Sequence, residues 1–200
     1  MTRLKQFALF IIPLLFCFYF FDLGAPWNAQ SKGKGRTKKV AEIKYATLQI
    51  ESCNDGDTCK AKTADGFQIT LRFLGIDTPE VAKTSGPKKK RNAGQAYGAQ
   101  ARDFTSKHVV GKKILAELRG SDAYNRYLTV LYPTLKKEEK SLNQMLIEEG
   151  YAFAYRGKMR EFDMQERFVL LEAKAKKDRK GLWALEVPPA DPAVFRRQTR

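Results

Sequence analysis

From Tyr45 onward, apolar and polar residues alternate in short runs bounded by turn-forming dipeptides. The runs Tyr45–Cys53, Thr58–Thr63 and Phe67–Ile76 read as strands, and Asp55-Gly56 and Asp65-Gly66 between them predict a meander of hairpins. After a polar, glycine-bearing segment at 80–94 the period changes. Tyr97, Ala101, Phe104 and His108 keep helical spacing and predict a helix over 95–108. Lys113–Leu118 and Arg126–Tyr132 return to the strand pattern. Ser141 and Gln144 form a capping-box pattern ahead of Leu142, Met145 and Leu146, with Gly150 as the stop. Asp163 and Glu166 repeat it ahead of an apolar face of Met164, Phe168, Leu171 and Ala175, with Gly181 beyond the last turn.

Three strands, a helix, two strands and two helices make an α+β chain: a five-stranded OB-fold β-barrel with three α-helices, preceded by an apolar N-terminal segment. Residues 45–184 form the barrel domain. Residues 185–200, with Pro188, Pro189 and Pro192 and the basic Arg196, Arg197 and Arg200, read as a disordered tail. Residues 32–44 are rich in Lys, Gly and Arg and read as a basic linker. Residues 7–21 are apolar apart from Pro13 and the Tyr19 hydroxyl, and Arg3 and Lys5 precede them. The run is shorter than the ~20 residues that span hydrocarbon, which favours a cleaved signal peptide in 1–31 over a retained membrane anchor. Either predicts export: a secreted or periplasmic domain, or one anchored outside the cytoplasm.

The formal net charge of +15 sharpens this picture, because only Arg3, Lys5 and Asp22 in the leader are charged and nearly all of the excess belongs to the domain and its flanks. Such a domain attracts polyanions, nucleic acid or anionic lipid. A single histidine, His108, removes paired-histidine chemistry and histidine-rich metal sites, and at the end of a helix it reads as a satisfied surface residue. Hydrolysis here must rely on carboxylates, arginines and a metal ion, or on a base outside the usual list. In an oxidising compartment Cys53 and Cys59 are disulfide candidates. A two-residue turn at Asp55-Gly56 would point them to opposite faces, a three-residue turn would set them opposite each other, and the pattern does not choose.

Two segments place carboxylates at strand ends: Asp55 to Thr58, reading DGDT, and Arg72 to Glu80, reading RFLGIDTPE. Asp55-Gly56 is accounted for by a turn, whereas Asp57 is an extra carboxylate. Arg72 sits in a run apolar enough to be buried and needs a partner. Strict alternation would put Arg72 and Asp77 on opposite faces, so Gly75 should mark a bulge or strand end that brings them together. Asp57, Asp77 and Glu80 in one pocket would repel one another by several kcal/mol per close pair, on the order expected at an effective dielectric of roughly 20. A divalent cation relieves this, and an all-oxygen donor set suits Ca²⁺ rather than zinc. Asp122 to Arg126 adds a second arginine at a strand start.

These motifs, with Gly181-Leu182-Trp183 at the end, resemble the staphylococcal nuclease (thermonuclease) family from about Tyr45 to Trp183. The resemblance implies a barrel with three helices and Ca²⁺-dependent hydrolysis of DNA and RNA, single-stranded nucleic acid preferred, leaving 3′ phosphates, by a monomer. It implies Asp57, Asp77 and the carbonyl of Thr78 as Ca²⁺ ligands, Glu80 as general base on the attacking water, and Arg72 and Arg126 as donors to the phosphate. Tyr124 matches a tyrosine beside the nucleotide, and Tyr155 resembles another. Lys88 and Lys89, with Lys90 and Arg91, fall in a loop expected to track phosphates. Asn125 stands where the family commonly has glycine, and Asn tolerates positive φ. Two other readings compete: a barrel that has lost catalysis and only binds nucleic acid at a membrane, and a protein whose basic linker and tail contact anionic lipid. Neither calls for the full acidic and arginine set.

Overall fold

A computed structural model describes residues 43–83, 93–137, 140–157 and 162–199. The expected leader, nearly all of the linker, and Lys88 and Lys89 lie outside the described residues. Strands β1 (Lys44–Asp55), β2 (Thr58–Lys62), β3 (Gln68–Phe73), β5 (Lys113–Ser121) and β6 (Tyr127–Tyr132) close into a barrel in the order β1-β2-β3-β6-β5. All neighbours are antiparallel except β3 and β6, which run parallel with Arg72 opposite Leu128. Alternation drives the barrel shut: Leu48, Ile50, Ala61, Leu71, Phe73, Ile114, Ala116 and Val130 are buried inside it. Each large side chain among them contributes roughly 1.5–3 kcal/mol.

The expected third strand is broken. Beyond β3, Gly75 adopts φ +80, and β4 (Ile76–Asp77) leaves the barrel to pair with β7 (Phe153–Ala154). Helix α1 (Gly98–Val109) buries Ala101, Thr105 and Val109, and His108 is satisfied by its contact to the Phe104 carbonyl at 2.7 Å. Helix α2 (Leu142–Glu148) begins with the expected capping box at Ser141 and Gln144. Its Asn143 is buried and locks the site's scaffold, since Nδ2 donates to the carbonyls of Leu74 and Thr129 while Oδ1 accepts the Leu131 N–H.

Two expectations are corrected. Helix α3 (Gln165–Lys177) has no capping bond from Asp163, because Asp163 instead accepts from Arg119, itself drawn in by the buried Glu117. The C-terminal segment is not a structureless tail: after a 3-10 turn at Gly181–Ala184, helix α4 (Pro192–Gln198) forms, N-capped by Asp191 and opened by Pro192. No helix among the described residues is long and apolar enough to cross a membrane.

Candidate active site

The first hairpin places Asp57. A bulge at Asn54 shifts the register so that Asp55 pairs with Thr58 and the turn consists of Gly56 and Asp57. The same shift sets Cys53 opposite Cys59, and the two form a disulfide that staples the hairpin. The Asp57 carboxylate is turned inward, 4 % exposed, and accepts from the Thr58 hydroxyl at 3.1 Å and the Thr78 N–H at 2.9 Å.

Arg72 lies opposite Thr58 in the β2–β3 ladder, which brings its guanidinium to that turn. Nη1 is 2.6 Å from Asp57 Oδ2 and Nη2 is 2.9 Å from Asp77 Oδ1. The second bond exists because the chain reverses at Gly75. A Cβ there would lie 2.3 Å from the Phe162 ring and 2.9 Å from Phe168, so both the positive φ and the packing demand glycine. The expected strand break therefore joins Arg72 to Asp77. Glu80 is held at the edge of the cluster by Gln95, which accepts from the Glu80 N–H at 3.1 Å and donates its own N–H to the Glu80 carbonyl at 2.8 Å.

The electrostatics follow from burial and these contacts. Burial pushes the Asp57 carboxyl up, but Arg72 and the donors from Thr78 and Thr58 more than offset it and hold the group below the usual carboxylate range. Asp77 is raised by burial despite two neighbouring guanidinium groups. Asp55, at the end of β1, is pushed up to about 8, first by burial and then by the charge of Asp57. Sequence reasoning left Asp55 as a turn former. It belongs to the acidic cluster, and the doubled acid in DGD was the available signal.

A second residue was missed altogether. Arg196 of α4 reaches back across the chain, with Nη1 at 2.7 Å from Glu80 Oε1 and 3.1 Å from Asp77 Oδ1, and Nη2 bonded to Asp77 Oδ2. Burial works against its charge, and the bonds to Asp77 and Glu80 more than offset this, raising it further above the ordinary arginine range.

Among the described residues no three His, Cys, Asp or Glu side chains are arranged to hold a metal ion unaided. Guanidinium groups stand between the carboxylates instead. The donor set nevertheless suits a hard cation: Asp57, Asp77 and Thr78 offer only oxygen, and the Thr78 hydroxyl is buried without a hydrogen-bond partner. Two carboxylates would leave most of the six to eight oxygen positions typical of Ca²⁺ to backbone, solvent and phosphate oxygens.

The other expected site residues among those described are Arg126, Tyr124 and Tyr155. Arg126 directly precedes β6, two residues before Leu128, the ladder partner of Arg72. Its guanidinium is engaged by Asp122 at 2.7 Å rather than by Asp57 or Asp77. Asp122 also accepts the N–H groups of Tyr124 and Arg126, and Asn125 takes φ +57 in that turn, as its substitution for glycine allows. Tyr124 is 75 % exposed, its ring centroid 5.5 Å from the Arg126 guanidinium carbon. Tyr155 is half-buried, and its N–H donates to the Gly75 carbonyl at 2.9 Å, which puts it beside the turn that carries Asp77.

The family described as "Staphylococcal nuclease homologue" matches residues 70–185. The chain is 37% identical over 156 residues to the thermonuclease of Staphylococcus hyicus, covering 76% of this chain and 84% of that protein. It is 28% identical over 164 residues to endonuclease YncB of Bacillus subtilis, covering 79% of this chain and 71% of that one. To endonuclease Htp3 of Saprolegnia parasitica it is 26% identical over 153 residues, covering 69% and 70%.

Proposed function

The chain belongs to the staphylococcal nuclease family, and on that membership and its buried acidic cluster we propose that it is a Ca²⁺-dependent endonuclease of DNA and RNA. The observation that carries this reading is the convergence of Asp57 and Asp77 on the Arg72 guanidinium, with Thr78 bonded to Asp57 and Glu80 at the edge. A module that merely bound nucleic acid would have no use for buried, mutually repelling carboxylates, which cost stability.

In this reading Asp57, Asp77 and the Thr78 carbonyl would hold Ca²⁺. When bound, the ion supplies positive charge against a phosphate oxygen. Glu80 takes a proton from the attacking water, whose oxygen bonds to phosphorus as the bond from phosphorus to the 5′ oxygen breaks; the 5′ oxygen leaves as a hydroxyl, protonated by solvent, and a 3′ phosphate remains. Arg72 and Arg126 donate to the phosphate oxygens on which charge grows. Arg126 is held for this by Asp122, and Arg72 by the two aspartates. Tyr124 and Tyr155 flank the nucleotide, and Lys88 and Lys89 track its phosphates. Unpaired strands suit an exposed tyrosine on which a base can stack, worth about 1–3 kcal/mol per base. The Cys53–Cys59 disulfide supports export by the apolar N-terminal segment, secreted or anchored.

The test is digestion of end-labelled single-stranded DNA and RNA by the full chain, with Ca²⁺ and with chelator. Cleavage that needs Ca²⁺ and leaves 3′ phosphates is expected. Intact substrate under every divalent ion tried would reject the enzymatic reading.

A further inference from the structure

Arg196 is bonded to the two carboxylates that the proposed chemistry most needs free. Both oxygens of Asp77 and one of Glu80 accept from it, so it covers a metal-ligand candidate and the candidate base at once. The contact is built, not a stray side chain on a frayed end. Asp191 caps the helix by accepting the Ala193 N–H at 2.8 Å, Pro192 is buried, and Gln95 donates to the Ala190 carbonyl at 2.7 Å. Gln95 is also the residue that holds the Glu80 backbone, so one side chain positions both the base and the segment that covers it. Helix α4 lies beyond the family match, which ends at residue 185.

We propose that α4 is an autoinhibitory strap, with Arg196 an internal competitor for the cation at Asp77. This rests on the nuclease reading above. Arg72 already occupies one lone pair of Asp77 Oδ1, and Arg196 takes up both Asp77 oxygens, so a divalent cation reaching Asp77 must displace Arg196, whose charge repels it. With Arg196 docked, the charge of Asp77 is compensated and one Glu80 oxygen is occupied by an ion pair, so neither carboxylate is open to a cation or a water. When Ca²⁺ takes Asp77, Arg196 loses two of its three bonds and α4 is released, opening the cluster to the phosphodiester. The side chain is 34 % exposed, at the rim of the site, so it can leave without opening the barrel. Competition of this kind makes cation affinity and strap docking reciprocal.

The test compares the full chain with its Arg196→Ala variant, and with Arg197→Ala, whose side chain is exposed, as control. Ca²⁺ binding is measured by calorimetry, and amide hydrogen exchange over residues 192–198 is followed with and without Ca²⁺. Arg196→Ala should tighten Ca²⁺ binding by about fivefold or more, the low end of typical coupling between sites, and Arg197→Ala should leave it unchanged. Amide protection in α4 should fall when Ca²⁺ is added to the unsubstituted chain. Unchanged Ca²⁺ affinity in Arg196→Ala, with α4 protection indifferent to Ca²⁺, would overturn the strap. Lower turnover at unchanged affinity would overturn it too, making Arg196 a phosphate-binding residue. If none of the three proteins binds a divalent cation or cleaves nucleic acid, the nuclease reading itself fails, and the strap with it.

Discussion

Thr58 and Arg72 are direct partners across the β2–β3 ladder, and that pairing delivers the Arg72 guanidinium to the turn carrying Asp57. The arginine is therefore structural before it is catalytic. Arg72→Ala would leave the buried Asp57 carboxylate without its counter-charge beside an Asp77 paired only with Arg196, a loss of about 3–5 kcal/mol where a buried pair is broken by removing one partner. In urea melts the variant should unfold at markedly lower denaturant in chelator, and Ca²⁺ should restore part of the loss by supplying the missing charge. Arg72→Lys keeps one charge and loses the fork that reaches Asp57 and Asp77 together. It should hold the fold better than Ala yet still lower turnover by roughly 10²-fold, the usual cost of one oriented donor. Equal stability of Ala and wild type would show the ion pairs to be ornamental.

How much of this was legible in the chain depends on the range of the interaction. DGDT and the run from Arg72 to Glu80 carry their chemistry locally, so Asp57, Asp77 and Glu80 could be named, and Gly75 could be assigned the turn that joins Arg72 to Asp77. Asp55 was misread because one bulge at Asn54 moves the turn by a single residue, a shift of register that hydrophobic pattern does not encode. Asp163 carried a valid capping pattern and was taken by Arg119 instead, a tertiary contact overriding a local preference. Arg196 meets Asp77 across 119 positions, and no local pattern predicts such a contact. Its helix did announce itself through Asp191 and Pro192, a cap and a first-turn proline, but three prolines and three arginines in a short segment outweighed that signal.

Asp55 contributes a pH dependence of its own to stability. The folded chain keeps the Asp55 proton up to about pH 8, whereas an unfolded aspartate releases it near 4, so between those values the folded state binds more protons. Stability from this group is present in full below the unfolded value and is lost as pH rises through the folded one. Asp57 runs the other way, its contribution present above the ordinary aspartate value and lost as pH falls through its depressed one. In chelating buffer, Asp55→Asn should therefore flatten the decline between pH 5 and 8 and raise stability at pH 8, on the order of 2 kcal/mol after allowance for the coupling to Asp57. Denaturant midpoints across that range check it. A variant that declines as steeply as wild type would assign the loss to another group.

Glu80 separates chemistry from binding. Its side chain contributes to the cluster through Arg196, while its backbone is fixed independently by Gln95. Glu80→Gln keeps shape and backbone bonds and removes the proton acceptor. Turnover should fall by on the order of 10²-fold or more, while the affinity for a non-cleavable oligonucleotide stays nearly unchanged. If affinity and turnover fall together, Glu80 is a structural residue and the base must be sought elsewhere.

Gly75 and Gly66 offer a matched pair for the turn on which the site depends. Their φ angles are +80 and +84, so an alanine is similarly strained at either position. They differ in surroundings: a Cβ on Gly66 meets nothing within 4 Å, whereas one on Gly75 enters the Phe162 and Phe168 rings. Gly66→Ala should cost about 1 kcal/mol, the backbone penalty alone. Gly75→Ala adds overpacking, typically about 1–3 kcal/mol. It must also displace the residues just before Asp77, so the bond between Arg72 and Asp77 should loosen and turnover should fall, with no such effect from Gly66→Ala. Urea melts and single-stranded DNA cleavage on both variants decide it. Matching losses of stability would mean that backbone conformation alone requires glycine at 75, and unaltered cleavage in Gly75→Ala would detach the turn from the placement of Asp77.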